Sequence, residues 1–396
     1  MTTLTQLVEV HRLAVAGREP VIARDIGSRV ARVWLRRSRF ADVAALANAT
    51  LTLGPDAGAL YDLGRAQSST GQPRPALDNY EQALHLYREA GERSNEAAAL
   101  SNIGLVYDKL GDRQQALTYY RQALPIQREV DERTGEAATL NNIGAVYNGL
   151  GDRQQALDYY QQALPITREV GDRTGEAATL NNIGAVYDRL GDRQQALDYY
   201  QQALPITREV GDRAGEAATL NNIGAMYGNV GDRQQALDYF QQALLITREV
   251  GDRTGEATTF SNIGLVYDRL GDRQQALDYY QQALPIRREV GDRTGEAATL
   301  NNIGAVYNNL GDRQQALDYF QQALPITREV DDRAGEATTR YNIAMIYRAE
   351  GNLDRAISEL KLVVDLDRQV GHPDLASDTA ALEQVRQERA RIRKAT

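Results

Sequence analysis

The chain contains no cysteine, one tryptophan, three methionines, three histidines and four phenylalanines among 396 residues. Without cysteine it can form neither disulfides nor thiolate metal sites. His11, His85 and His372 stand far apart, so no histidine-based metal cluster or general-base site is suggested. Neither a GxxxxGK[ST] phosphate loop nor a dinucleotide GxGxxG occurs. No apolar run approaches the roughly 18 residues of a membrane span. The opening MTTLTQLVEV lacks the basic-then-apolar layout of a secretory signal, so a cytoplasmic location is expected. These absences lead us to expect a protein that is not an enzyme and needs neither cofactor nor metal.

What the chain does have is repetition. Residues 97 to 336 write one 40-residue sentence six times, as in ATLNNIGAVYNGLGDRQQALDYYQQALPITREVGDRTGEA. A duplicated catalytic group would be pointless, whereas a duplicated surface is a ruler. Self-similarity at such a period marks a solenoid in which each unit buries its apolar face only against its neighbours. Leu140, Ile143, Gly144 and Tyr147 recur at three- and four-residue spacing, as do Ala156, Leu157, Tyr160, Ala163 and Leu164, which predicts two amphipathic helices per unit. Gly144 and Ala163 carry almost no side chain and let the helices approach closely. Gly151 suits a left-handed helix end, and Asp152 with Gln155 three residues on suits a capping box. Pro125, Pro165, Pro205, Pro285 and Pro325 fall inside the second helix and predict a kink or break there. Leu245 takes that place in one unit, whose helix should be straighter.

Counting from Gly64, Gly104, Gly144, Gly184, Gly224, Gly264, Gly304 and Ala344 gives eight units, 57–96, 97–136, 137–176, 177–216, 217–256, 257–296, 297–336 and 337–376. Residues 1–56 read as N-terminal helices with a degenerate unit around Trp34 and Pro55. Residues 377–396 read as a capping helix, polar-faced from Asp378 to Arg393, with a basic tail.

The order Leu140, Ile143, Gly144, Tyr147, Ala156, Tyr160, Ala163 resembles the tetratricopeptide repeat, with Leu140 where that family often has Trp and Arg168 where it has a closing Pro. Six residues beyond the usual period of about 34 lie in REVGDRTGEA. The lengthened form resembles the arrays of spindle-orientation adaptors, kinesin light chains and actinobacterial signalling proteins. The resemblance implies an all-α, right-handed α-solenoid, a tetratricopeptide superhelix of helix-turn-helix units whose first helices line a concave wall. It also implies that the second, fifth, sixth, ninth, twelfth and thirteenth places of each unit face that wall.

The sixth place holds Asn102, Asn142, Asn182, Asn222, Asn262, Asn302 and Asn342, and the fifth adds Asn141, Asn181, Asn221 and Asn301. An amide offers both a donor and an acceptor, as an extended peptide backbone demands, and the row resembles the asparagine ladder of such superhelices. The alternative is that one Asn of each pair braces the neighbouring second helix. The twelfth and thirteenth places alternate between charged pairs, Asp108-Lys109, Asp188-Arg189 and Asp268-Arg269, and uncharged ones, Asn148-Gly149, Gly228-Asn229 and Asn308-Asn309. Such alternation is read either as side-chain selection at every second unit or as drift after duplication.

The net charge is −9. The unit 137–176 contributes −2 (five acids, three Arg), the first 40 residues +5 (eight Arg, three acids) and the last fourteen +3 (five bases, two acids). An acidic body between basic ends disfavours nucleic acid as a partner. The expected function is a non-catalytic scaffold that holds an extended segment of a protein or peptide partner in the Asn-lined groove. Two alternatives are a sensory array whose curvature change controls an effector, and a module that assembles with copies of itself.

Overall fold

The structure, a computed structural model, describes residues 3–395, and of 394 and 395 the backbone alone. Met1, Thr2, the Lys394 side chain and Thr396, which belong to the expected terminal segments, lie outside the described residues. All the regular structure described is helical. Three helices come first: α1 (Leu4–Ala16), α2 (Pro20–Arg36) and α3 (Phe40–Leu51). Eight hairpins follow: α4 (Ala57–Ser69) with α5 (Pro73–Ala90), α6 (Arg93–Lys109) with α7 (Arg113–Glu129), α8 (Arg133–Leu150) with α9 (Arg153–Glu169), and α10 (Arg173–Leu190) with α11 (Arg193–Glu209). Next are α12 (Arg213–Val230) with α13 (Arg233–Val250), α14 (Arg253–Leu270) with α15 (Arg273–Glu289), α16 (Arg293–Leu310) with α17 (Arg313–Glu329), and α18 (Arg333–Ala349) with α19 (Leu353–Val370). Helix α20 (Leu375–Ala395) closes the chain. The backbone divides into two compact units, residues 1–206 and 207–396.

In each unit the hairpins close on the same contact, save the last, where Ala344 and Leu360 take its place. Gly144 of α8 lies against the ring of Tyr160 of α9, and a Cβ there would stand 2.7 Å from the ring's Cε1. In the second unit Gly304 meets Phe320 in the same way, at 2.8 Å. Ala137 and Leu140 complete the hairpin core with Ala163 and Ile166. The opposite stripe of α8, Ile143 and Val146, packs on Ala116, Leu117 and Tyr120 of the preceding hairpin. Helix α8 therefore belongs to two cores at once, one within its hairpin and one shared with the hairpin before it. Tyr147 and Tyr159 stack with centroids 5.5 Å apart, and the stack recurs from Tyr107–Tyr119 to Tyr307–Tyr319.

Helix ends follow the expected chemistry in part. Gly151 is left-handed, with φ 85°, and the Asp152 side chain accepts the Gln155 backbone N–H at 3.1 Å. The reciprocal half of a capping box is missing: Gln195 and Gln235 donate instead to the carboxylates of Asp192 and Asp232, each at 2.9 Å. The prolines do not break their helices, since α9 runs unbroken through Pro165 to Glu169. Pro165 and Gln161, whose carbonyl loses its partner, both lie on the exposed face, where water can take the vacant bond. At the Leu245 position, 69% exposed, α13 continues to Val250 and a left-handed Gly251.

The six additional residues lengthen the hairpin and carry an ion ladder. Helix α8 begins at Arg133, a full turn before the unit boundary read from the sequence. The buried Glu136 receives Arg128 Nε of α7 at 2.7 Å and Arg133 Nη1 at 2.5 Å, and Arg133 Nη2 reaches Glu169 of α9 at 2.9 Å. The motif repeats at Glu96 with Arg88 and Arg93, and in the second unit at Glu216, Glu256 and Glu296. Burial alone would raise the Glu96 carboxyl, but hydrogen bonds from Arg88 and Arg93 outweigh it and hold the group below its ordinary value. In the last hairpin Arg340 replaces the core leucine and joins Glu336 at 2.8 Å and Glu359 at 2.5 Å.

The ends are closed differently. Trp34 is buried with Val30, Val43 and Leu46 beneath the Arg39 guanidinium, 4.8 Å from its ring. Of the N-terminal arginines, Arg12, Arg24, Arg29 and Arg39 pair with acids. Leu382 and Val385 of α20 cover Leu353, Ile357 and Leu360 of α19, and Arg389 binds Asp354 at 2.6 Å.

Gly144→Ala is expected to lower stability by about 1–3 kcal/mol through overpacking against Tyr160. Gly228→Ala, whose Cβ meets nothing closer than 3.7 Å, should be neutral or stabilise by up to about 1 kcal/mol. Calorimetric melting of both variants checks this. Because the Glu96 carboxyl is depressed in the folded state, its contribution is complete above its ordinary value of 4.5 and is lost as pH falls through the lower folded value. Glu129, Glu289 and Glu329, held down by their Arg hydrogen bonds, act in the same direction. Melting temperature should hold down to about pH 5 and fall below it; a flat profile to pH 3 would exclude the ladder as a stabiliser.

Candidate functional site

In the first unit the first helices α4, α6 and α8 border an open cleft of 650 Å³. Ala98, Ser101, Asn102, Leu105, Ala138 and Asn142 are on its walls; these are second, fifth, sixth and ninth places. Gln127 and Tyr61 also reach it.

The two asparagines of each pair have separate positions in the bonding pattern. At the fifth place Asn141 Nδ2 donates to Thr179 Oγ1 of the next first helix at 2.7 Å. Asn221 to Thr259 and Asn301 to Thr339 repeat this at 2.9 Å in the second unit, and Asn181 is not free either. Each acceptor threonine in turn donates to a carbonyl one turn back, as Thr179 does to Gly175 at 2.7 Å. Ser101 with Thr139 is the hydroxyl version, at 3.0 Å. The brace thus joins consecutive first helices; it does not reach a second helix.

The sixth-place side chains are half-buried. Asn102 donates to Tyr61 Oη at 2.6 Å and to the Ala98 carbonyl at 3.0 Å. For Asn142, Asn182, Asn222, Asn262, Asn302 and Asn342 there is no hydrogen-bond partner among the described residues. Asp62 takes this place in the hairpin α4–α5, and burial, opposed by Arg65 and Arg32, pushes its carboxyl up to about 6.

The twelfth and thirteenth places are linked from unit to unit. Arg189 donates to Asn148 Oδ1 at 3.3 Å, and Arg269 to the Gly228 carbonyl at 3.3 Å and Asn229 Oδ1 at 3.2 Å. A charged pair therefore reaches back to the uncharged pair before it, which gives the alternation a structural use. Asp188 is raised by burial, against Arg193 and Arg189. Asp108, Lys109 and Asp268 have no hydrogen-bond or ion-pair partner among the described residues.

The tetratricopeptide-repeat profile matches residues 79–129, 135–209, 215–289 and 295–369. The chain belongs to the tetratricopeptide-repeat family. Its fold is accordingly an all-α solenoid of helix-turn-helix units, and a Sel1-repeat profile matches the first hairpin, residues 57–95. Among curated proteins no sequence matches. Solved structures share the tetratricopeptide fold at low identity. The apo form of the quorum sensor NprR from B. thuringiensis has a TM-score of 0.63 and 16% identity, over 82% of this chain and 97% of that one. A Rap protein complexed with competence and sporulation factor has a TM-score of 0.59 and 15% identity, over 93% and 98%. A signal transduction ATPase with numerous domains and a tetratricopeptide repeat sensor, from Pyrococcus horikoshii, has a TM-score of 0.64 and 15% identity; the match covers 91% of this chain and 54% of that one.

Sequence reasoning missed the third-place threonines: Thr179, Thr259 and Thr339 orient the fifth-place amides, and Thr139 meets Ser101. Their recurrence at the 40-residue period was the available signal. Among the described residues there is no metal-binding group and no helix long and apolar enough to cross a membrane. Asn221→Ala should cost about 1 kcal/mol by removing the hydrogen bond to Thr259, whereas Asn222→Ala should leave the denaturation midpoint unchanged. Equal effects in urea titrations would refute the division of labour.

Proposed function

We propose that this tetratricopeptide scaffold holds an extended segment of a protein or peptide partner along its first helices, gripped by the sixth-place amides. The observation that carries this reading is the contrast within each pair. The fifth-place amide is committed to the fold, while its neighbour, half-buried on the same helix, keeps its donor and acceptor open. An open amide can receive a backbone N–H with its oxygen and give an N–H to a backbone carbonyl. The neighbouring second and ninth places are mostly alanine, as at Ala138 and Ala145, so a main chain can approach. Support also comes from the fold, since a Rap conjugation gene regulator was solved in complex with the Phr* peptide.

Each amide contact contributes about 1 kcal/mol, and ordering the segment offsets part of the sum, so micromolar binding is the natural strength. The charged twelfth- and thirteenth-place side chains Asp108, Lys109, Asp188, Arg189, Asp268 and Arg269 then select residues along the segment. Replacing Asn182, Asn222 and Asn262 together by Ala should leave helicity and melting unchanged while weakening peptides selected by display on the full chain by about tenfold or more. Loss of folding, or unchanged peptide affinity, would overturn the assignment of the sixth place.

A further inference from the structure

The thirty-first place of each unit lies on the second helix behind the first helices, and its occupant is buried and hydrogen-bonded in most hairpins. Thr167 donates to the Leu164 carbonyl at 2.8 Å, and Gln127 to Ser101 at 3.3 Å. Even Arg287 finds Thr258 at 3.0 Å and the Asp292 carboxylate. In the last hairpin the place holds Asp367. Its side chain is 1% exposed, and no N–H or O–H donor reaches either carboxylate oxygen.

Asp367 is on the wall of an open pocket of 290 Å³, with Thr338 and Tyr341 from the second and fifth places of α18 and His372, Asp374 and Asp378 from the segment leading into α20. Three carboxylates face this space and no Lys or Arg does. His372 Nδ1 accepts the Asp374 backbone N–H at 3.3 Å and stands 3.9 Å from Asp367 Oδ1, beyond hydrogen-bond reach of that oxygen. Burial, then the adjacent Asp367, pushes the Asp378 carboxyl up to about 6 against the opposing effect of His372, as expected where negative charges are crowded. An uncompensated buried carboxylate is costly, and a cation at the pocket mouth removes the cost.

We propose that this pocket seats the cationic side chain, Lys or Arg, of a bound protein segment, with Asp378 and Asp374 touching the charge and Asp367 behind them. The pocket is built from α18, α19 and α20 alone and does not depend on the asparagine row. Its groups are not arranged to hold a metal ion, and an ammonium or guanidinium supplies the several N–H donors that the oxygens lack.

The test uses the full chain with n-butylammonium, which reproduces a lysine side chain, and tetramethylammonium, which carries the same charge but no N–H. At equal ionic strength n-butylammonium should raise the melting temperature and tetramethylammonium should not; Asp367→Asn and Asp378→Asn should each abolish the rise. Asp367→Asn by itself should melt at or above the wild-type temperature, the opposite of what a purely structural Asp would give. A peptide containing one Lys should bind about tenfold more tightly than its acetyl-lysine form, and the triple Asn182, Asn222, Asn262 variant should weaken both while preserving the ratio. Equal effects of the two amines, a rise that survives both Asp variants, or competition by magnesium beyond that of sodium would overturn the pocket. A lost ratio with intact butylammonium binding would count against the asparagine groove alone.

Discussion

The hairpins from Gly64 to Gly304 depend on one close approach, an aromatic ring lying on a residue that has no side chain. At Gly144 and Tyr160, as at Gly304 and Phe320, the ring occupies the volume a Cβ would need. The two helices are thereby held at a fixed distance, and the leucine, isoleucine and valine stripes on either side fall into register with the hairpins before and after. A large ring opposite a small residue sets packing geometry more sharply than two medium side chains, because neither partner has a rotamer that relieves a misfit.

Around that apolar contact the chain adds polar fasteners between units. The ion ladder at Glu136 and Glu256 sits on the turn side of the hairpins, and the Asn–Thr brace at Asn141 and Asn221 joins successive first helices. The two differ in character. A carboxylate shared by two arginines is charge-assisted, whereas an amide on a hydroxyl is neutral and demands a particular spacing. Together they tie successive hairpins along two separate lines, beyond what burial alone provides.

The same division organises what the first helices present. Fifth-place amides are spent on the fold, sixth-place amides from Asn142 onward are open, and alternate arginines such as Arg189 reach back across a repeat boundary. Where the pattern ends, its exceptions become informative. Asp367 occupies a place filled elsewhere by Tyr, Thr, Gln or Arg, and it turns the last hairpin into an acidic pocket.

The sequence by itself determined the family, the two helices of each unit and the identity of the residues in the core, because heptad-like spacing and the Gly–Tyr–Ala order leave a single way to bury both stripes. It also named both asparagine rows. It did not separate them: adjacent residues on a helix point about 100° apart, and only the position of the next repeat's threonine shows that the Asn141 Nδ2 is bonded and Asn142 is not. The prolines read as breaks because a lost backbone bond is costly in isolation, yet Pro165 faces solvent, where the cost is met by water. The capping box failed for a similar reason, as Gln195 has a nearer carboxylate than the backbone N–H. REVGDRTGEA shows only the Arg–Glu pair three residues apart on one helix; the other partners of the ion ladder lie eight and 36 residues apart and meet only when consecutive hairpins stack.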